Sequence, residues 1–199
     1  MKSIKNYDFN LDISEFLLRS ISYFKNKKKE SASKTLLQLE KIQIYDINEK
    51  INYLNLKENT KYLIIKMILE HKIILFIYPG IETINDITVN SFLENLNLKK
   101  LKLIPILKNS SKLINLFIKN NKPILGNKFK LKLNKKNNYI EAVINVSKTI
   151  ILKKVLNLVF KAQTDIKIYI GITIETSKKD NNNEKLLCIF GFNNIKDLE

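Results

Sequence analysis

Between Asp165 and Glu175 five isoleucines, Ile166, Ile168, Ile170, Ile172 and Ile174, alternate without a break with Lys167, Tyr169, Gly171 and Thr173. Side chains on an extended backbone point to opposite faces at every second residue, so this pattern fits a strand with one isoleucine face buried and fits no helix. A strand needs hydrogen-bonding neighbours, and the chain offers them. Ile73 to Tyr78 is a β-branched and aromatic run stopped by the turn signal Pro79-Gly80. Leu101 to Leu107, Leu113 to Ile118, Phe129 to Leu133 and Tyr139 to Val146 are strand-like segments divided by Asn109, Asn120, Asn121, Gly126 and Asn137-Asn138. Loose alternation over residues 35–54 predicts one or two more.

Three segments read as helices. Ile13, Phe16, Leu17, Ile21 and Phe24 recur at three- and four-residue intervals, with Asp12 or Ser14 as cap and Arg19 on the side away from the stripe. Leu56, Leu63, Ile64, Met67 and Ile68 mark a second helix with His71 near its end, and Leu186, Leu187, Phe190, Ile195 and Leu198 mark a terminal one that contains Gly191. The expected class is α+β with mainly antiparallel sheets.

Composition narrows the chemistry. Lys (34), Ile (32) and Asn (26) fill nearly half of the 199 positions, and 45% apolar content with 27% charge is that of a chain that buries a core. Its longest apolar stretches fall short of the ~18–20 residues of a membrane-spanning helix. One cysteine, Cys188, excludes a disulfide framework and Cys-rich zinc sites, and His71 is the only histidine. There is no P-loop, GxGxxG or HExxH and no spaced acidic cluster, so no catalytic or metal site and no cofactor is expected. The net charge of +16 attracts polyanions. Yet Arg19 is the sole arginine, and Lys, Asn and Ile all come from adenine- and thymine-rich codons, so codon bias and a basic binding face are equally open readings. The amino terminus has no signal or transit character. From the residues alone, the chain reads as a noncatalytic interaction or scaffold protein.

The turn after the Ile73 strand reads Pro79-Gly80-Ile81-Glu82-Thr83-Ile84-Asn85-Asp86-Ile87. It resembles the P-G-x-V-T-A-x-D-I turn of the α subunit of bacterial and plastid RNA polymerase at Pro79, Gly80, Thr83, Asp86 and Ile87. Other segments follow in the family's order. LEKIQIYDINEKINYL and NTKYLIIKMILEHKIILFI resemble its upstream strand, helix and strand, and FKLKLNKKNNY resembles its basic hairpin at Lys135, Lys136 and Tyr139. IEAVINVSKT, AQTDIKIYIGITIET and NEKLLCIFGFNNIKDL resemble its later elements. The family's Asn-Ala-Leu-Arg-Arg helix is matched only by Phe16-Leu17-Leu18-Arg19-Ser20, and its carboxy-terminal DNA-contacting domain has no counterpart.

This resemblance implies a noncatalytic scaffold that dimerises with a second α-type subunit and nucleates assembly of the β and β′ catalytic subunits. It implies a discontinuous dimerisation module, 1–53 with 145–199, and an inserted β-rich module, 54–144. It implies a large-subunit interface at Arg19, Ser20, Lys135, Lys136, Tyr139, Thr164 and Asp165. The dimer interface would hold Ile13, Phe16, Leu17, Ile21, Phe24, Leu187, Phe190 and Leu198, and Pro79, Gly80, Thr83 and Asp86 would form a structural turn. The expected location is the plastid, or alternatively a bacterial cytoplasm. An organellar ribosomal or other basic RNA-binding protein is the rival reading.

Overall fold

Isoleucine packs well on a pleated surface and loses side-chain freedom in a helix, and a chain this rich in it is built mostly of strands. A computed structural model describes residues 2–5, 9, 11–51, 53, 56–112, 114, 119–129, 131–148, 157, 166–176 and 183–193. Six strands form one sheet in the order β1 (Lys2–Lys5), β4 (Lys41–Asp46), β6 (Lys72–Pro79), β5 (Tyr62–Ile68), β10 (Tyr139–Asn145) and β9 (Lys132–Lys135). Four form a second: β12 (Leu186–Phe192), β11 (Lys167–Ile174), β7 (Leu101–Lys108) and β8 (Ile124–Leu125). The short hairpin β2 (Leu17–Arg19) and β3 (Lys29–Ser31) forms a third, two-stranded sheet. Every described pairing between named strands is antiparallel except β5 with β10, and the isolated bridge Thr35–Leu186 is parallel. Both sheets draw strands from within 54–144 and from outside it. The chain is thus α+β, mostly antiparallel strands with few helices.

The two sheets share one core. Leu63, Ile65, Ile74 and Phe76 of the larger sheet belong to the same buried cluster as Leu103, Ile172, Phe190 and Phe192 of the smaller. The Phe76 ring centroid lies 5.4 Å from that of Phe190 and 5.5 Å from that of Phe192. Each outer face is covered as well. Phe16, Leu18 and Ala32 pack on Ile104, Ile106, Tyr169, Leu186 and Ile189. Leu56, with Ile51 and Tyr53, packs on Tyr62, Ile64, Leu75 and Ile77. Strands buried on both faces lose the alternation that marks a half-exposed sheet.

That double burial corrects the three expected helices. The stretch from Ile13 is a 3-10 turn (Ile13–Glu15), then β2, then one short helix α1 (Tyr23–Asn26). Burial there alternates: Phe16, Leu18 and Ser20 are buried while Leu17 is 37% and Ile21 54% exposed. Two inward side chains on the smaller sheet, each worth about 1.5–3 kcal/mol on burial, outweigh the few tenths of a kcal/mol per residue of helix propensity. The expected helix from Leu56 to His71 is instead strand β5, and His71 lies in the β5–β6 turn, where its carbonyl accepts the Ile47 N–H at 2.8 Å. Ile195 and Leu198 of the expected terminal helix lie outside the described residues, and Leu186–Phe192 is strand β12, buried along its whole length. Its outer edge is partly covered, because Leu36 N–H donates to the Leu186 carbonyl and Leu37 N–H to that of Leu187, at 2.9 and 2.8 Å. Nor does β11 bury one isoleucine face only, since Tyr169, Gly171 and Thr173 on its other face are buried too.

The turn at Pro79-Gly80 follows its residues closely. Pro79 closes β6, and Gly80 takes φ +84°, a left-handed conformation that suits glycine. Thr83 Oγ1 donates to the Gly80 carbonyl at 2.7 Å. Asp86 then caps α2 (Ile87–Asn95), its Oδ1 accepting the Val89 N–H at 3.0 Å while Oδ2 lies 2.5 Å from Lys185 Nζ near the start of β12. Burial alone would raise the Asp86 carboxyl, but the Lys185 hydrogen bond and the Val89 and Thr88 amides outweigh it and hold the group below its ordinary value. The unfolded chain therefore takes up this proton first as pH falls. The stabilisation is complete above the ordinary carboxylate range and is lost as pH drops through the lower folded-state value. Asp86→Ala should lower stability by about 1–2 kcal/mol near neutrality, and urea denaturation should show the difference shrinking at acid pH.

Candidate functional site

Beside the parallel pair β5–β10 lies an open cleft of about 840 Å³, lined by Lys50, Ile51, Tyr53, Leu56, Glu58, Asn138 and Tyr139. Tyr53 and Tyr139 stack, with centroids 5.1 Å apart and planes 19° from parallel. Behind them lies the buried carboxylate of Glu141. Its Oε1 accepts the Tyr53 hydroxyl at 2.5 Å and lies 3.7 Å from Lys66 Nζ, and its Oε2 accepts Asn134 Nδ2 at 3.1 Å. Both oxygens are thus engaged. Burial and then Glu141 push the Tyr53 phenol well above its ordinary value, and the same two causes raise that of Tyr139. Both phenols stay neutral donors at any physiological pH. The wall is held by backbone: Tyr62 N–H donates to the Asn138 carbonyl at 2.9 Å, and Lys57 N–H donates to the Tyr62 hydroxyl at 3.1 Å.

A second cluster lies on the smaller sheet's outer face. Lys102 of β7 is 2% exposed, and its Nζ sits 2.5 Å from Glu184 Oε1 and 3.2 Å from Glu175 Oε1. Arg19 Nη1 meets Glu175 Oε1 at 2.6 Å and Arg19 Nε lies 3.8 Å from Glu184 Oε1. The guanidinium carbon stands 4.5 Å above the Tyr23 ring. Glu184 N–H donates to the Arg19 carbonyl at 3.0 Å, and Arg19 N–H donates to Glu184 Oε2 at 3.1 Å. Two cations and two anions clasp the β2–β3 hairpin to the sheet, and their formal charges balance. An adjacent cavity of about 230 Å³ includes Arg19 and Glu184 in its wall.

Arg19 is therefore committed inside its own chain, where the sequence placed it free on a helix surface. Its forked, stackable donor set explains an arginine here in a lysine-rich chain. Ser20 is buried, with Oγ donating to the Lys28 carbonyl at 3.1 Å. Phe16, Leu187 and Phe190 are fully occupied in the two cores, and Ile13 and Phe24 are half-buried. Leu17 and Ile21 are the expected dimer-face residues that are exposed. Lys135 and Lys136 flank the β9–β10 turn, where Lys136 N–H donates to the Tyr139 carbonyl at 2.9 Å. Tyr139 alone of the expected site residues lines the cleft. Thr164, Asp165 and Leu198 lie outside the described residues. Among the described residues, no three His, Cys, Asp or Glu side chains gather to hold a metal, and no helix is long and apolar enough to cross a membrane.

These features define a class first: an α+β domain of two packed, mainly antiparallel sheets with an open tyrosine-lined cleft on one face. A family model described as "Protein ENHANCED DISEASE RESISTANCE 2, C-terminal" matches residues 9–196, and the chain belongs to that family. No curated protein and no solved structure gives a significant match. The family match overturns the resemblance to the RNA polymerase α subunit. With it go the scaffold function in transcription, the plastid polymerase setting, and the second α-type, β and β′ subunits as partners. The ribosomal or RNA-binding alternative gains no support from it either. The residues expected to face partners largely serve internal contacts: Arg19 meets Glu175, Ser20 is buried, and Phe16, Leu187 and Phe190 lie in the cores.

Proposed function

We propose that the chain is a noncatalytic ligand-binding module that takes a small molecule in the cleft lined by Ile51, Tyr53, Leu56, Asn138 and Tyr139. The cleft itself carries this reading: about 840 Å³ lies within the size range of small-molecule sites, with Ile51, Leu56 and two tyrosine rings for apolar contact and a few polar groups for orientation. Glu141, the buried acidic group behind the tyrosine pair, has both oxygens in hydrogen bonds or ion pairs, which suits a structural anchor better than a general base. Amide spectra of the full chain against a fragment library test the proposal. Fragments should shift the Tyr53, Asn138 and Tyr139 amides and leave those of β7, β11 and β12 in place. A library that never moves the cleft amides would overturn it.

A further inference from the structure

We infer that the ligand of this cleft is a neutral carbohydrate, an inference that rests on the cleft being a binding site. The tyrosine pair sets the geometry. With centroids 5.1 Å apart the two rings already touch, so no third ring can be sandwiched between them, and a ligand in the cleft would meet the pair from the side that lines it. A sugar ring suits such a single platform, because its weakly positive C–H face meets the negative face of the aromatic quadrupole. The rim supplies the complementary polar groups. Lys50 donates only, Glu58 accepts only, and Asn138 does both, the mixed set that hydroxyl groups require. Charge gives the third reason. The lining itself carries one cation, Lys50, and one anion, Glu58, and the buried Glu141 is matched by Lys66 at 3.7 Å, so no charged side chain in the lining is left to pair with an ionic ligand alone. Lys57, Lys135 and Lys136 stand beside the cleft, and the anionic comparison below tests their effect.

Two of the 8 tyrosines line the cleft and no tryptophan masks them, so tyrosine emission follows binding while the amides locate it. The full chain is titrated with cellohexaose, xylohexaose and maltohexaose, and with adenosine monophosphate as a planar anionic comparison, following emission and the Tyr53, Asn138 and Tyr139 amides. At least one neutral hexaose should bind saturably and move those amides, and adenosine monophosphate should not compete. Tyr139→Ala should weaken that binding about tenfold or more, as loss of a ring-stacking platform does, whereas Tyr139→Phe should retain it. Three silent hexaoses, with fragments still binding the cleft, would overturn the carbohydrate and leave the binding site standing. Silence from fragments and sugars alike would overturn both. Sugar binding that Tyr139→Ala leaves intact would also overturn the inference.

Discussion

Gly191→Ala should detach β12 from the smaller sheet and lower stability by about 3 kcal/mol or more, at the upper end of what a single methyl insertion does. A Cβ at position 191 would stand 2.0 Å from the Ile168 carbonyl oxygen and 2.8 Å from Tyr169 Cα, both backbone atoms of the paired strand. The φ of +155° adds a conformation that side-chain-bearing residues rarely adopt. Because the obstacle is backbone, it moves only if the β11–β12 pairing breaks. Gly171 is the natural comparison: its Cβ would meet Leu186 Cδ1 and the Phe16 ring at 2.7 Å, atoms of side chains that are able to shift. Gly171→Ala should therefore lose only about 1–3 kcal/mol. Urea denaturation of both variants decides the matter, and equal losses would contradict this account of β12.

Glu184→Gln should also be damaging, by about 3 kcal/mol, because it removes the closer of the two carboxylates on the buried Lys102 ammonium and leaves only Glu175 at 3.2 Å. Lys102 and Glu184 side chains are each 2% exposed, so water offers no substitute. The partner variant Lys102→Met removes the other charge, and the double variant Lys102→Met/Glu184→Gln should recover much of the loss, since Arg19 and Glu175 then remain as a balanced pair at 2.6 Å. A double-mutant cycle by urea denaturation reads this coupling. Purely additive losses would mean that Lys102 and Glu184 do not depend on each other. The exposed Lys28–Glu30 pair, at 3.8 Å, serves as the contrast, since surface pairs contribute about 0–1 kcal/mol and weaken in salt.

The buried clasp also shows how much of the site the sequence could have disclosed. Lys102 interrupts the apolar run Leu101 to Leu107, and Glu141 interrupts Ile140 to Ile144. A lone charge inside such a run is a signal for a buried partner, since an unpaired one is too unfavourable to keep. Neither was singled out. Their partners Glu175, Glu184 and Tyr53 lie tens of residues away, and no spacing rule links them. The cleft is out of reach for the same reason: its lining comes from two stretches of chain, Lys50 to Glu58 and Asn138-Tyr139, that no spacing rule joins.

What the sequence determined alone was whatever depends on neighbours along the chain. The period of two in β11, the β-branched run of β6, the left-handed Gly80 after Pro79 and the Asp86 cap are set by local backbone preference and reach over a few residues. Tertiary structure decided the rest. Residues 13–24 carry a helical stripe, yet Phe16 and Leu18 turn inward together because the outer face of the smaller sheet needs cover. Strands β5 and β12 are apolar on both faces because both faces are covered, and periodicity then no longer separates a strand from a buried helix. Burial against distant elements is worth more per side chain than any local propensity, so wherever the two disagreed the packing won.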